Sequence, residues 1–149
     1  MSEQIETKKY FKKLVDGPDN YVLSEESAKE QLDLLLDFYD VDLMSLDEDG
    51  KLKKLVERKL IRAIRQGKVE IENNTEGFVV KQNLSSGTQF IYRELTGMAK
   101  VQMDRYKGQH ERLYGLLAML SKKPIEQIQK ISGPDLAIAE YLGLIFLAG

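Results

Sequence analysis

The chain has 149 residues, of which 42% are hydrophobic and 31% charged, with a formal net charge of −2 and no cysteine. This size and composition are typical of a small globular protein that needs no disulfides or thiolate metal sites. The net charge gives no long-range attraction to phosphate, so nucleic acid is not expected as the main partner. The longest apolar run, residues 141–148, is far below the roughly 20 residues that cross a bilayer, and no secretory signal pattern is visible. We therefore expect no membrane span.

Two amphipathic helices are predicted in the N-terminal part of the chain. The first, over 25–39, follows Ser24, whose hydroxyl is typical of a helix N-cap. The second, over 51–66, carries its basic residues opposite its apolar face and ends at Gly67, a residue typical of C-terminal caps. We interpret the basic face as a solvated surface, and the helices as a hairpin that forms an N-terminal subdomain over 1–67.

A small antiparallel sheet is predicted where the periodicity changes from helical to alternating. Strands are expected over 68–72, 78–84 and 88–93, because β-branched and aromatic residues alternate with polar ones between turn sequences rich in Asn, Ser and Gly. A three-stranded sheet is marginal alone, so the flanking helices should cover its apolar face.

Four further helices are predicted over 98–107, 109–121, 124–131 and 134–147. They form a C-terminal cluster that, with the sheet, makes up a second part of the chain over 68–149. The predicted fold class is α+β and mainly α-helical, with a helical N-terminal hairpin, a three-stranded antiparallel sheet and a C-terminal helical cluster. The two parts are expected to form one compact domain.

The last predicted helix is apolar around nearly its whole circumference. One face holds Leu136, Ala139, Leu142, Ile145 and Phe146. Tyr141, Leu144 and Leu147 lie off that face, and one layer of packing does not easily cover both sets. We predict that these three residues bind a helical partner or a second copy of the chain. The alternative is that they belong to the core.

No catalytic, cofactor-binding or metal-binding residues are predicted. His110 is the single histidine, and no second histidine lies at metal-ligand spacing. No motif marks a nucleophile. Part of a calcium-loop pattern is present at Ser45, Asp47, Asp49 and Gly50, but the position of its bidentate glutamate is Val56.

A helix-turn-helix over 125–149 is the DNA-binding alternative. Its second helix contains no Arg, Lys, Asn or Gln that could read base edges. A small DNA-binding regulator is therefore the weakest of the functional alternatives.

Short sequence elements occur in a characteristic order over residues 79–149. They are Gln-Asn-Leu at 82–84, Tyr-Arg-Glu-Leu-Thr-Gly at 92–97, Leu-x-x-Leu-Ser at 117–121, proline at 124, Asp-Leu at 135–136 and Phe-Leu at 146–147. This order resembles that of the tail assembly chaperones of long-tailed bacteriophages and prophages.

The resemblance implies a non-enzymatic protein in the cytoplasm of a bacterial host. Members of that family bind the long helical tape-measure protein, keep it soluble and help tail-tube subunits polymerise around it. The implied partners are the tape-measure and tail-tube proteins, with self-association as a further expectation, and no cofactor is implied. A structural virion protein, such as a head-completion or tail component, is the competing interpretation.

Overall fold

The computed structural model describes residues 21–46, 49–75 and 77–149. Its described part contains six α-helices and one three-stranded sheet, which confirms the predicted α+β, mainly helical fold class. In chain order the elements are α1 (Glu25–Tyr39), α2 (Lys51–Arg65), β1 (Val69–Asn74), β2 (Gly77–Asn83), β3 (Gln89–Tyr92), α3 (Gly97–Met103), α4 (Gln109–Ser121), α5 (Ile125–Gln129) and α6 (Gly133–Ala148). A short 3₁₀ helix, Leu43–Leu46, precedes α2.

Helices α1 and α2 pack against each other through their apolar faces, as predicted. Helix α1 begins after Ser24, whose hydroxyl oxygen accepts a hydrogen bond from the Ser27 N–H at 3.0 Å. Spacings of three and four residues place buried side chains on one face of each helix, Ala28, Leu32 and Leu35 in α1 and Val56, Leu60, Ala63 and Ile64 in α2.

The sheet has the strand order β1-β2-β3, and both strand pairs are antiparallel. Alternation directs one set of its side chains into the protein, namely Val69, Ile71, Phe78, Val80, Gln82, Phe90 and Tyr92. The Phe78 ring stacks on Phe38 of α1 at a centroid distance of 4.0 Å, and Tyr92 lies 5.8 Å from Phe146 of α6. Helices therefore cover the apolar face, as a sheet of this size requires.

Neighbouring groups also hydrogen-bond to backbone N–H groups at the two edges of the sheet. The Ile71 N–H of β1 donates to the side-chain oxygen of Gln31 in α1 at 3.3 Å. The Arg93 N–H, just after β3, donates to the Leu120 carbonyl of α4 at 3.0 Å. These bonds reduce the number of unpaired groups on edges that could otherwise pair with another chain.

The C-terminal helices pack closely, with α4 against both α5 and α6. At Gly143 of α6 a Cβ atom would collide with the Leu113 side chain of α4, so glycine allows this approach. Nearby, the Tyr114 hydroxyl donates to Glu140 at 2.8 Å, and this bond raises the pKa of Tyr114. One connected core includes side chains from both sides of residue 67.

The largest difference from the predicted boundaries is at α3, which ends at Met103 rather than near residue 107. The Tyr106 N–H donates to the Met103 carbonyl at 3.0 Å, and Arg112 donates to the same oxygen at 3.3 Å. These bonds close the helix, and the Tyr106 ring then lies against Gly115 of α4. The other boundaries lie within two residues of the prediction.

A buried polar network connects the sheet to the start of α6. Gln82 is fully buried in β2; its oxygen accepts from the Tyr92 hydroxyl at 2.8 Å, and its amide nitrogen donates to the Asp135 carbonyl at 2.8 Å. The Asp135 carboxylate accepts from the Ser85 N–H at 3.0 Å. Burial raises the pKa of Tyr92, so its phenol remains a neutral donor.

Replacing Gln82 should destabilise the protein strongly. Gln82→Leu leaves the Tyr92 hydroxyl and the Asp135 carbonyl without their present partner, so the free energy of unfolding should fall by about 2–4 kcal/mol. Tyr92→Phe removes one of the two hydrogen bonds and should lower the free energy of unfolding by about half as much. Urea denaturation measures both, with Gln129→Leu on the exposed surface of α5 as the control. Equal stability of Gln82→Leu and the control would contradict the structural role of the network.

Candidate protein-binding surface

Helix α6 buries most of its circumference but leaves the predicted partner-binding residues partly accessible. Its buried hydrophobic side chains are Ile138, Ala139, Leu142, Ile145 and Phe146. Tyr141 and Leu144 are half-buried, and Leu147 is 37% exposed. Tyr141 packs against the edge of the core. Their partner-binding role remains a prediction, but all three side chains can be reached from solvent.

A groove with a volume of about 520 Å³ lies between α2 and α6 and includes Tyr141 in its wall. Its apolar part consists of Ala63 of α2 and Pro134, Ala137, Ile138 and Tyr141 of α6. Leu144 follows Tyr141 by three residues and lies on the same side of α6. The groove and this side of α6 therefore form one surface, which we call the α2–α6 surface.

The polar residues of this groove are unbalanced in charge. They are Lys59, Arg62, Gln66 and Lys68, and no Asp or Glu is among the described residues that line the groove. A larger groove, of about 650 Å³ beside the sheet, differs in this respect because acidic Glu72 and Glu94 line it together with basic residues. The α2–α6 surface thus combines an apolar floor with a basic rim.

A second exposed apolar site lies on α3. Met98 is 72% exposed and Val101 is 69% exposed, more than any other large hydrophobic residue in the described part of the chain. They are three residues apart and share one side of a seven-residue helix that packs on α4.

The described residues among those considered for catalysis or metal binding do not form a site. His110 is exposed in the first turn of α4, with its ring 6.0 Å from that of Tyr114. Asp47 of the calcium-loop pattern lies outside the described residues, whereas Val56, at the position of the bidentate ligand, is fully buried in the core. Within the described ranges no three or more His, Cys, Asp or Glu side chains form a potential metal site.

Several residues of the elements that carry the family resemblance lie in the interior, whereas others, such as Glu94, Pro124 and Leu147, are exposed. Gln82, Tyr92 and Asp135 form the buried polar network, and Leu117 and Phe146 are fully buried. These interior residues of the resemblance therefore occupy positions that hold the fold together.

Sequence reasoning missed the basic side of the α2–α6 surface. The sequence pattern predicts that Lys59 and Arg62 lie on a solvated helix face, and both are exposed. The structure adds that they border a groove whose other wall comes from residues more than 70 positions later. The only signal in the sequence was the pair of basic residues three positions apart, which is common on amphipathic helices.

Changing two apolar residues of the α2–α6 surface should weaken partner binding without unfolding the chain. In Tyr141→Lys with Leu144→Lys, loss of apolar contact should weaken self-association or client binding by about 1–3 kcal/mol. Sedimentation and pull-down measure the association, and circular dichroism checks the helical signal. The exposed pair Glu126→Lys with Gln129→Lys on α5 is the control. Unfolding of the α6 variant would instead place both side chains in the essential core.

Calcium and zinc should not stabilise this protein specifically. The calcium pattern lacks its glutamate, and a ligand raises the melting temperature only if it binds the native state. Differential scanning calorimetry with and without each metal is the measurement. A calcium-dependent rise in melting temperature that Asp47→Asn abolishes would contradict this prediction.

Comparison with models of known protein families, with functionally characterised proteins and with solved structures found no match to this chain. No helix in the described part has both the length and the hydropathy needed to span a bilayer. The features that bear on function are therefore the α2–α6 surface and the resemblance of the sequence elements.

Proposed function

We propose that this chain is a non-enzymatic tail assembly chaperone of a long-tailed bacteriophage or prophage. In the cytoplasm of the bacterial host it binds the tape-measure protein, keeps it soluble and assists tail-tube assembly around it. The observation that carries the proposal is the accessible apolar side of α6, where Tyr141 and Leu144 are half-buried and Leu147 is exposed. The order of sequence elements over 79–149 supports the choice of family.

The physical basis of the proposal is helix-in-groove binding. A long helical client exposes apolar residues at helical spacing until the tube surrounds it, and these residues favour aggregation. The α2–α6 groove offers an apolar floor in which Ala63 and Ala137 leave room for close approach of a helix. A groove of about 520 Å³ fits a small contact, and small contacts are typical of transient binding. Transient binding suits a chaperone because the client must be released into the tail.

Absence of catalysis is part of the proposal. The single imidazole, His110, lies on the exposed start of α4 and lines none of the five described grooves. In the interior, the side chains of Gln82 and Tyr92 are hydrogen-bonded to each other, and Asp135 accepts a hydrogen bond from the Ser85 N–H through one carboxylate oxygen while its other oxygen has no partner in the described part of the chain.

A structural virion protein is the second candidate, and the exposed pair Met98 and Val101 favours it. Two large apolar side chains exposed by 72% and 69% suit a permanent interface in a finished particle. The DNA-binding alternative has no such support, because α6 has no basic or amide side chain that could read base edges.

Co-expression with tape-measure segments from the same genome tests the chaperone function. We expect the chain to raise the soluble fraction of these segments and to copurify with them, because it covers their apolar residues. Tyr141→Lys with Leu144→Lys should lose this effect, whereas Glu126→Lys with Gln129→Lys should retain it.

Mass spectrometry of purified virions separates the two candidates. A chaperone should be absent from the finished particle, while a structural component should be present in a fixed ratio to the tail-tube protein. Stoichiometric presence in virions, or unchanged client solubility, would overturn the proposal.

A further inference from the structure

We propose that the groove between α2 and α6 binds a particular kind of partner helix. Such a helix has its apolar residues along one face, which we call its apolar spine, with Asp and Glu residues on both sides of that face. This inference rests on the proposed function and specifies the chemistry of the client segment.

The floor of the groove is apolar and partly made of small residues. Ala63 and Ile138 are buried, whereas Ala137 and Tyr141 are half-buried. Small side chains let a helix approach closely, and Tyr141 supplies a larger apolar surface beside them. A strand or an extended peptide would need hydrogen-bond partners from an open sheet edge, but helices form both walls of this groove. The geometry therefore favours a helical occupant.

The charges around the groove select the sign of the residues that flank the apolar spine. Exposed Lys59 and half-buried Lys68 line the groove together with Arg62. Lysine side chains are long and flexible, so Lys59 and Lys68 can reach acidic residues of a partner helix at the rim.

The basic rim is opposite in sign to the net charge of the chain, which is −2, and it has a larger excess of basic over acidic residues than the other described grooves. One of those grooves is lined by Glu70 and Glu72 without a basic residue, two combine acidic and basic residues, and one has Lys130 as its single charged residue. Exposed ion pairs contribute little to affinity, but like charges facing each other oppose a wrong partner and opposite charges speed association. The rim should therefore act mainly on selectivity, and its effect should weaken as salt is added.

A nucleic-acid strand would use the same charges but not the apolar floor. Three cations allow few phosphate contacts, and α6 contributes no basic residue to the groove. A protein helix uses both the floor and the rim, which is why the acidic amphipathic helix is the favoured occupant.

Fluorescence anisotropy with the full-length chain tests this selectivity. The probes are fluorescein-labelled helical peptides of about 20 residues, a length at which designed helices are well formed in solution. The first peptide has a Leu/Ala spine with Glu residues on both sides, and the second has the same spine with Lys residues in place of Glu. The third has the same composition as the first, but its apolar residues are scrambled so that they no longer lie on one face. A labelled DNA duplex is the fourth probe.

The variant Lys59→Glu with Lys68→Glu reverses the charge of the rim. Its matched control, Lys51→Glu with Lys54→Glu, makes the same change in net charge at exposed residues of the first turn of α2 that do not line the groove. Circular dichroism confirms that both variants are folded.

We expect the wild type to bind the Glu-flanked peptide about tenfold more tightly than the Lys-flanked one at low salt. The rim variant should lose or invert that preference, while the control variant should keep it. The scrambled peptide should bind weakly because its apolar residues no longer share one face.

Equal binding of the Glu-flanked and Lys-flanked peptides, or equal effects of the rim and control variants, would overturn the proposal. Tighter binding of the DNA duplex that only the rim variant loses would replace it with a nucleic-acid site. If both spine-bearing peptides bind equally and Tyr141→Lys with Leu144→Lys abolishes both, acid selectivity fails while the chaperone function stands. If no peptide binds and tape-measure segments are not solubilised, the chaperone function fails as well.

Discussion

Helix α6 must bury apolar side chains around most of its circumference, and the arrangement of the other elements depends on this requirement. Phe146 contacts aromatic rings on two of its neighbours, Tyr39 of α1 at 5.5 Å and Tyr92 of β3 at 5.8 Å between centroids. On another side Gly143 lets Leu113 of α4 approach closely. Because one helix touches α1, the sheet and α4, the N-terminal and C-terminal parts of the chain share one core. Burial of these side chains is the main favourable contribution to folding.

The start of α6 is fixed by polar contacts as well as by packing. Gln82 connects Tyr92 to the Asp135 carbonyl, and the Asp135 carboxylate holds the turn after β2 through Ser85. A buried amide placed this way favours one position of the helix over the sheet, since any shift leaves polar groups without partners. The apolar side of α6 that remains accessible is therefore presented in a defined orientation, which a binding surface needs.

The sequence elements that carry the family resemblance contribute no residue to the α2–α6 groove, although Leu147 belongs both to the Phe-Leu element and to the predicted partner-binding residues. Gln82, Tyr92 and Asp135 are interior residues, whereas Lys59 and Tyr141 border the α2–α6 groove. Interior positions are constrained by the geometry of the side chains packed around them. A binding surface is constrained by its client, and its charge can follow the client's sequence. The resemblance accordingly bears on the fold and the family, while the chemistry of the groove bears on what is bound.

The local elements were determined by the sequence to a large extent. The 3.6-residue period and the cap at Ser24 predicted α1, and alternation around Phe78 and Val80 predicted β2, because these signals act between residues close together in the chain. The early end of α3 escaped prediction, since it depends on Arg112 and on the contact of Tyr106 with a later helix.

The candidate site was likewise predictable from the sequence only in part. Periodicity alone singled out Tyr141, Leu144 and Leu147 as residues off the main apolar face of the last helix. Ile138 also lies off that face by its helical position, yet the structure buries it, because coverage depends on which neighbours pack beside each position. Only the tertiary structure brought Lys59 and Lys68 next to Tyr141. Periodicity describes the faces of one helix, whereas a groove between two helices depends on how the whole core packs.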